Sequence, residues 1–299
     1  MSSLENVFYI QAGLGVLANM FLLFFYTFII LGNRPKPMDL ISCQLTFIHI
    51  MMILTEGDNL LANILESLKS GNDIKCKTTF YINRVMRSLS ICITCLLSVV
   101  QAVTISPSTS FLAKFKHKVK THINYVFFCL WTLNLSFSSR LIFFVAGFMN
   151  VSETHQMKVT KSCSFFSMNY IFRGLTFLVT MSRDIFLVGV MLTTSTYMVI
   201  ILCRHQRQCK HLHSIRHLRA SPEKRATQTI LLLVVFFVVI YWVDFIISFT
   251  SVLLWIYDPV FLTVQKFVMF VYPTVTPLVQ ISSDKRIISI LKKLHSNCH

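Results

Sequence analysis

Cys203-Arg-His-Gln-Arg-Gln-Cys-Lys-His-Leu-His-Ser-Ile-Arg-His-Leu-Arg-Ala-Ser-Pro-Glu-Lys-Arg-Ala-Thr-Gln-Thr-Ile230 is a basic, water-seeking stretch that runs directly into the apolar wall Ile230 to Ile240. Ser221 suits an N-cap, Pro222 the first helical position, and Glu223 the positive end of a helix dipole. A helix from Ser221 to about Tyr257 is roughly 50 Å long at 1.5 Å per residue, against about 30 Å of bilayer hydrocarbon. Its first turns are therefore expected to stand out of a membrane as a cationic rod.

The rest of the composition agrees with a membrane setting. Of 299 residues, 54% are hydrophobic, 13% are charged and 27 are Phe; the mean hydropathy is +0.64. Soluble domains carry about 25% charged residues, so this chain could not cover its apolar surface in water. The net charge of +16 lies in short loops between apolar runs. That placement fits membrane orientation and excludes a nucleic-acid partner. Cys43, Cys92, Cys95 and Cys129 sit inside apolar runs, where free buried thiols are ordinary. Met1 to Asn6 has no basic residue, and the apolar run after it is too long for a signal core, so a first span entered directly is expected.

Hydropathy predicts an all-α bundle of seven transmembrane helices in a single domain, 1–299, with spans at about 7–31, 38–65, 76–105, 124–148, 172–202, 222–257 and 260–281. Lys and Arg set the orientation. One set of loops holds Arg34 and Lys36, the run Lys114 to Lys120, the stretch Arg204 to Arg225, and Lys285 to Lys293. The opposite set holds only Lys69, Lys75, Lys77, Lys158 and Lys161. The richer side is expected in the cytoplasm, with the N-terminus outside and the C-terminal tail inside. Asn150-Val-Ser152, a glycosylation sequon, then falls in the long outer loop, whereas Asn134-Leu-Ser136 lies within the fourth span and should go unused. Cys76 and Cys163 are the two cysteines placed outside, where a disulfide could pin that loop across the bundle mouth.

Charges inside spans default to the bundle interior. Glu56, Asp58, Arg84, Arg87, Arg140, Arg183, Asp184, Asp244 and Lys266 all map to the outer half, with Phe143, Phe144, Phe177, Phe186, Tyr241, Trp242 and Trp255 at similar levels. A pump or ion path needs polar groups through the full thickness; this distribution describes a cup open outside and closed inside. Arg84, Arg87, Arg183, Asp244 and Lys266 are the expected ligand-facing residues. The plainer alternative is that these charges only pair with one another between helices. Surplus Arg favours an anionic or hydrogen-bond-accepting ligand. His205, His211, His213 and His217 have no thiolate or carboxylate completing a structural metal set, so no metal or other cofactor is expected. The run Lys114 to Lys120 suits anionic lipid. Pro273 and Pro277 weaken the seventh span, either as a fixed kink or as a hinge, and the amide of Asn19 could bond a carbonyl that they free.

Three stretches carry a family resemblance: His217-Leu-Arg-Ala-Ser-Pro-Glu-Lys-Arg-Ala-Thr227, Leu97-Ser-Val-Val-Gln-Ala-Val-Thr-Ile-Ser-Pro107 and Pro273-Thr-Val-Thr-Pro277. With the Cys76/Cys163 pair and the sequon ahead of Cys163, the whole chain resembles the vomeronasal type-1 receptors. The resemblance implies a G protein-coupled receptor for small pheromone ligands in the plasma membrane of sensory neurons, signalling through a heterotrimeric G protein of the inhibitory class. It implies no enzymatic activity. Arg216, Arg219, Lys224 and Arg225, with the basic second inner loop, would then meet the G protein. Asp-Arg-Tyr after the third span and Asn-Pro-x-x-Tyr in the seventh, usual in rhodopsin-like receptors, are absent here as in that family. A bitter-taste-like receptor lacks the Ser221 to Thr227 pattern. A transporter or channel would call for internal repeats and Gly-broken helices, and this chain has eight Gly and no repeat. If the orientation is right, Asn150→Gln will collapse the glycosidase-sensitive mass shift of protein expressed in mammalian cells, and an Asn134→Gln variant will leave that shift in place.

Overall fold

The computed structural model describes residues 2–32, 35–56, 72–107, 110–139, 145–147, 156–158, 163–166, 170–212, 235–236, 238–243, 246, 259–284 and 286–289. Its long helices are α1 (Ser2–Gly32), α2 (Pro37–Glu56), α3 (Asn72–Ile105), α4 (Phe115–Ser139) and α5 (Tyr170–Leu212). A helical piece at 238–243, α6, precedes α7 (Pro259–Ser283). Among the described residues, α1, α2, α3 and α5 contain stretches long and apolar enough to cross a bilayer, and α7 contains a shorter one, Phe267–Ser282.

The helix ends follow local chemistry. Lys36 caps α2: its carbonyl accepts from the Asp39 amide at 3.0 Å, Pro37 fills the first helical position, and the Asp39 carboxylate reaches back to the Lys36 N–H at 3.2 Å. The fourth helix begins earlier than hydropathy suggests, at Phe115, and stops at Ser139 rather than near Phe148. Ser136 and Ser139 turn their hydroxyls onto the carbonyls of Thr132 and Ser136 at 2.8 and 2.7 Å, which competes with helix propagation. Beyond it the helical bundle carries one small sheet. Val145–Gly147 (β1), Gln156–Lys158 (β2) and Cys163–Phe166 (β3) form an antiparallel sheet in the order β1-β3-β2, with Gly147 opposite Cys163 and Lys158 opposite Ser164.

The basic stretch after Cys203 also reads differently. It begins as helix, because α5 continues to Leu212 without a glycine or proline. At 43 residues α5 is roughly 65 Å long, far more than a bilayer needs. The cationic rod observed here is therefore the end of α5, with Arg204, Arg207 and Lys210. The rod expected from Ser221 lies outside the described residues.

Burial places α3 at the centre. Its apolar stretch is 78% buried, against 28% for those of α1 and α5. Leu89, Ile93, Leu97 and Val100 recur at helical spacing and pack with Ile41, Leu45 and Ile48 of α2 and Ile123 and Phe127 of α4. On the other side, Ile91 and Cys95 meet Val188 and Met191 of α5, Val238 of α6 and Tyr272 of α7. Phe24 and Phe28 of α1 and Tyr125 and Phe128 of α4 point outward and are exposed, as a lipid solvent allows.

Lipid tails offer no hydrophobic drive between helices, so close approach and hydrogen bonds hold the bundle. A Cβ on Gly15 would sit 2.8 Å from Thr274 Oγ1 and 2.9 Å from Ile53 Cδ1, so α1 passes close to both α7 and α2 there. One turn on, Asn19 Nδ2 donates to the Pro273 carbonyl at 2.8 Å, the group that Pro277 leaves without its helical donor. That is the bond expected from the sequence. At the far end of α1, Arg286 Nη2 bonds Asp39 at 2.8 Å and Asp284 at 2.9 Å and lies 5.9 Å from the Phe25 ring centre. Partial burial works against this guanidinium's charge, but its bonds to Asp39 and Asp284 outweigh that and hold the proton more firmly than usual. Ile287, next to it, is buried against Leu22, Phe25 and Tyr26. Arg286→Met strands the buried Asp39 carboxylate and should cost about 1–3 kcal/mol. Arg286→Lys, a point charge without the fork, should fall between. Thermal unfolding followed with a thiol-reactive dye, which reports exposure of buried Cys92 and Cys95, checks the order.

Candidate ligand site

Arg84, Arg87 and Ser88 lie at helical spacing on α3, and Arg183 and Asp184 are neighbours on α5. Adjacent helical residues do not face each other, so Arg183 folds back: its Nε and Nη2 donate to Asp184 Oδ1 at 2.8 and 2.6 Å. Its Nη1 donates to Ser88 Oγ at 2.5 Å. Ser88 in turn donates in a short contact to Asn134 Oδ1, and Asn134 Nδ2 donates to the Leu130 carbonyl at 2.7 Å and contacts Cys92 Sγ at 3.7 Å. One guanidinium thus ties α5 to α3 and, through a serine, to α4. Asn134 is buried and committed to this network.

Arg84 and Arg87 share the electrostatic surroundings of this pair. Arg84 is coupled to Arg87, Asp184, Arg183 and Tyr241, and the Tyr241 phenol is a hydrogen-bond partner of Asp184. The cluster gathers three guanidiniums around one carboxylate and one phenol. Beside it, a cavity of about 40 Å³ is lined by Met52 of α2, Arg87, Ser90 and Ile91 of α3, Ile240 and Tyr241 of α6, and Met269 and Tyr272 of α7. Arg87 is the expected ligand residue that lines it. Ser90 Oγ is buried and has no hydrogen-bond partner among the described residues. Tyr272 closes the floor, with its hydroxyl 3.0 Å from Thr94 Oγ1 and its ring edge-on to buried His49 at 5.1 Å.

Of the aromatic residues at these levels, Phe186 and Trp242 are exposed. Tyr241 lines the cavity, and its neighbour Trp242 is turned about 100° away, as 3.6 residues per turn requires. Asp244, Arg140, Asp58 and Asn150 lie outside the described residues, as do Arg216, Arg219, Lys224 and Arg225. Lys266 is placed on α7, Cys76 on α3 and Cys163 on β3, but their side chains are outside the described set. Hydropathy had missed Ser88, Ser90, Thr94 and Tyr272. The available signal was a row of hydroxyls, Ser88, Ser90, Thr94 and Ser98, in an otherwise apolar helix.

The model of the vomeronasal organ pheromone receptor family matches residues 2–293. Vomeronasal type-1 receptor 100 of Rattus norvegicus is 39% identical over 295 residues, 98% of this chain and 90% of the relative. Vomeronasal type-1 receptor 45 of Mus musculus is 37% identical over 293 residues, 97% of this chain and 92% of the relative. The chain belongs to the vomeronasal type-1 receptor family. As such it is a multi-pass membrane receptor for pheromones, coupled to a G protein and not an enzyme. The bitter-taste and transporter readings are not favoured.

In this vomeronasal type-1 receptor, the Arg183–Ser88–Asn134 chain should act as a unit. Ser88→Ala and Asn134→Ala should each lower stability by about 0.6–1.7 kcal/mol, the range for hydrogen bonds between membrane helices. The double variant should lose less than the sum. A double-mutant cycle on thermal unfolding of purified receptor measures the coupling, and strict additivity would rule out a shared network.

Proposed function

We propose that the receptor takes its ligand in the cavity between α2, α3, α6 and α7, with Arg87 and Ser90 as first contacts and Arg84 and Arg183 setting the local positive field. The observation that carries this reading is the placement of Arg87 and the unpartnered Ser90 hydroxyl on one small cavity otherwise lined by methionine, isoleucine and tyrosine. An apolar molecule with an anionic or hydrogen-bond-accepting group matches that lining. About 40 Å³ holds only a few water-sized molecules, and ligand pockets are usually roughly 300–1,000 Å³. Binding therefore requires the lining to part, and Met52 and Met269 are unbranched enough to repack. Asp244 and Lys266 belong to the same site in this reading.

The chain has seven spans in this account, with its N-terminus outside. A ligand biases the helices between two arrangements by its differential affinity for them. Arg216, Arg219, Lys224 and Arg225 contact a G protein of the inhibitory class, and basic loops rest on anionic lipid. Asn150 carries a glycan. A Cys76–Cys163 disulfide is supported by the backbone: β1 packs against α3, and β3, which starts at Cys163, pairs with β1.

A ligand panel on cells expressing the receptor tests the site. Losing one charge-assisted hydrogen bond costs about 1.5–3 kcal/mol, so Arg87→Ala should shift the dose response by roughly 10–150-fold for an anionic agonist. Arg84→Ala, Arg183→Ala and Asp244→Ala should also shift it, and unchanged responses in all four would remove the site. Replacing Ser221 to Ala226 by a neutral linker should abolish signalling while surface expression persists.

A further inference from the structure

The four lysines Lys114, Lys116, Lys118 and Lys120, at the start of α4, do not play one role. Lys116 turns back and donates from Nζ to the Ser106 carbonyl at 2.8 Å, at the end of α3. Ser106 Oγ also meets the Tyr197 hydroxyl of α5 at 2.5 Å and accepts from Ser110 Oγ at 2.9 Å. Lys116 is thus a structural strut. Lys114 and Lys118 differ. Phe111, Lys114, Phe115 and Lys118 stand at i, i+3, i+4 and i+7, the spacing of one helical face. The two rings meet edge-on at 5.4 Å, with Lys114 Nζ 6.0 Å from the first ring centre and Lys118 Nζ 5.9 Å from the second. Phe111 is 70% exposed and Phe115 38%. Two bare aromatic rings beside two cations have no obvious purpose in water.

The next turns of α4 decide what covers them. Tyr125 and Phe128, about three turns beyond Phe115 on the same helix, are 69% and 66% exposed and begin its lipid-facing wall, with Lys118, Lys120, Thr121 and His122 exposed between. Rings and ammonium groups on a polar stretch just outside such a wall match the phosphate layer beyond the acyl chains. We propose that Phe111 and Phe115 form a wedge in the headgroup layer, and that Lys114 and Lys118 clasp the phosphate of an anionic phospholipid there. This assigns residues to the lipid contact and rests on the reading that α4 enters the bilayer at this end.

The test uses purified full-length receptor in nanodiscs of phosphatidylcholine alone or mixed with phosphatidylserine, without G protein. Retained phosphatidylserine is counted by native mass spectrometry. The unmodified receptor should retain it, and a Lys114→Gln/Lys118→Gln variant should hold it about thirtyfold more weakly, the effect of two surface lysines. Phe111→Ser/Phe115→Ser should also weaken retention. Lys116→Gln should leave retention intact and lower the unfolding temperature equally in both lipids. Undiminished retention in the double lysine variant overturns the proposal. So does that result paired with weaker activation when G protein is added to the same nanodiscs in a second assay, which would assign the face to a protein partner. Nanodiscs expose both membrane faces, so the assay does not depend on orientation. Labelling of Thr121→Cys by an impermeant thiol reagent on intact cells would overturn the inside placement alone.

Discussion

A guanidinium inside an apolar bundle must be satisfied by the bundle itself, and Arg183 meets that demand by drawing three helices together. Its carboxylate partner is its own neighbour, so the pair could have formed on α5 alone. The third bond, to Ser88, is the one that reaches another helix. From there Asn134 extends the connection to α4. A charge that is costly in hydrocarbon thereby sets the separation and rotation of α3 and α5 at the level of the cavity. Arg84 and Arg87 enter the same field, so the polar site and the helix register have a common origin.

The α3–α5 seam repeats this logic toward the opposite end. Ser98 Oγ meets Thr194 Oγ1 at 2.6 Å, and Ser106 Oγ meets Tyr197 at 2.5 Å. Lys116 then fastens the end of α3 to the first turn of α4. Between these contacts the seam is Ile91, Cys95, Val188 and Met191. Side chains of this kind slide past one another, whereas hydroxyl pairs have to be broken and remade. The seam therefore favours discrete registers over continuous drift, which is what a switch between two arrangements requires.

What could be read in the sequence had a single physical consequence. A proline frees a known carbonyl, so the bond from Asn19 to Pro273 was foreseeable. An arginine in a span defaults to the bundle interior, and Arg84, Arg87 and Arg183 gather with Asp184 and Tyr241. The row of hydroxyls on α3 is visible in the sequence but not which of them reach another helix, because serine and threonine can satisfy themselves on their own helix, as Thr46 and Thr104 do. Only the three-dimensional neighbour distinguishes those from Ser88 or Ser98. Two helix ends could not be read for one reason: hydropathy reports where the hydrocarbon stops and not where the helix stops. At Leu202 the apolar run ends but α5 continues to Leu212, and at Val145–Gly147 an apolar run continues although α4 has ended.

The same contacts limit which helices can move. Pro273 and Pro277 look like a hinge, yet the carbonyl that Pro277 frees is held by Asn19, and Gly15 leaves no gap between α1 and Thr274. Beyond the prolines, Ile287 is buried on α1, and Arg286 is bonded to Asp39 of α2. The chain of α7 and the turn after it is fastened to the α1–α2 side both above and below its weak point. A kink clamped on both sides is a shape and not a joint. Rearrangement is cheaper where helices meet through sliding apolar side chains and a cavity, which is the side of α3 facing α5 and α6. The basic extension of α5 leaves the bundle on that side, so the Arg183–Ser88 contact and the cationic end lie on one continuous helix.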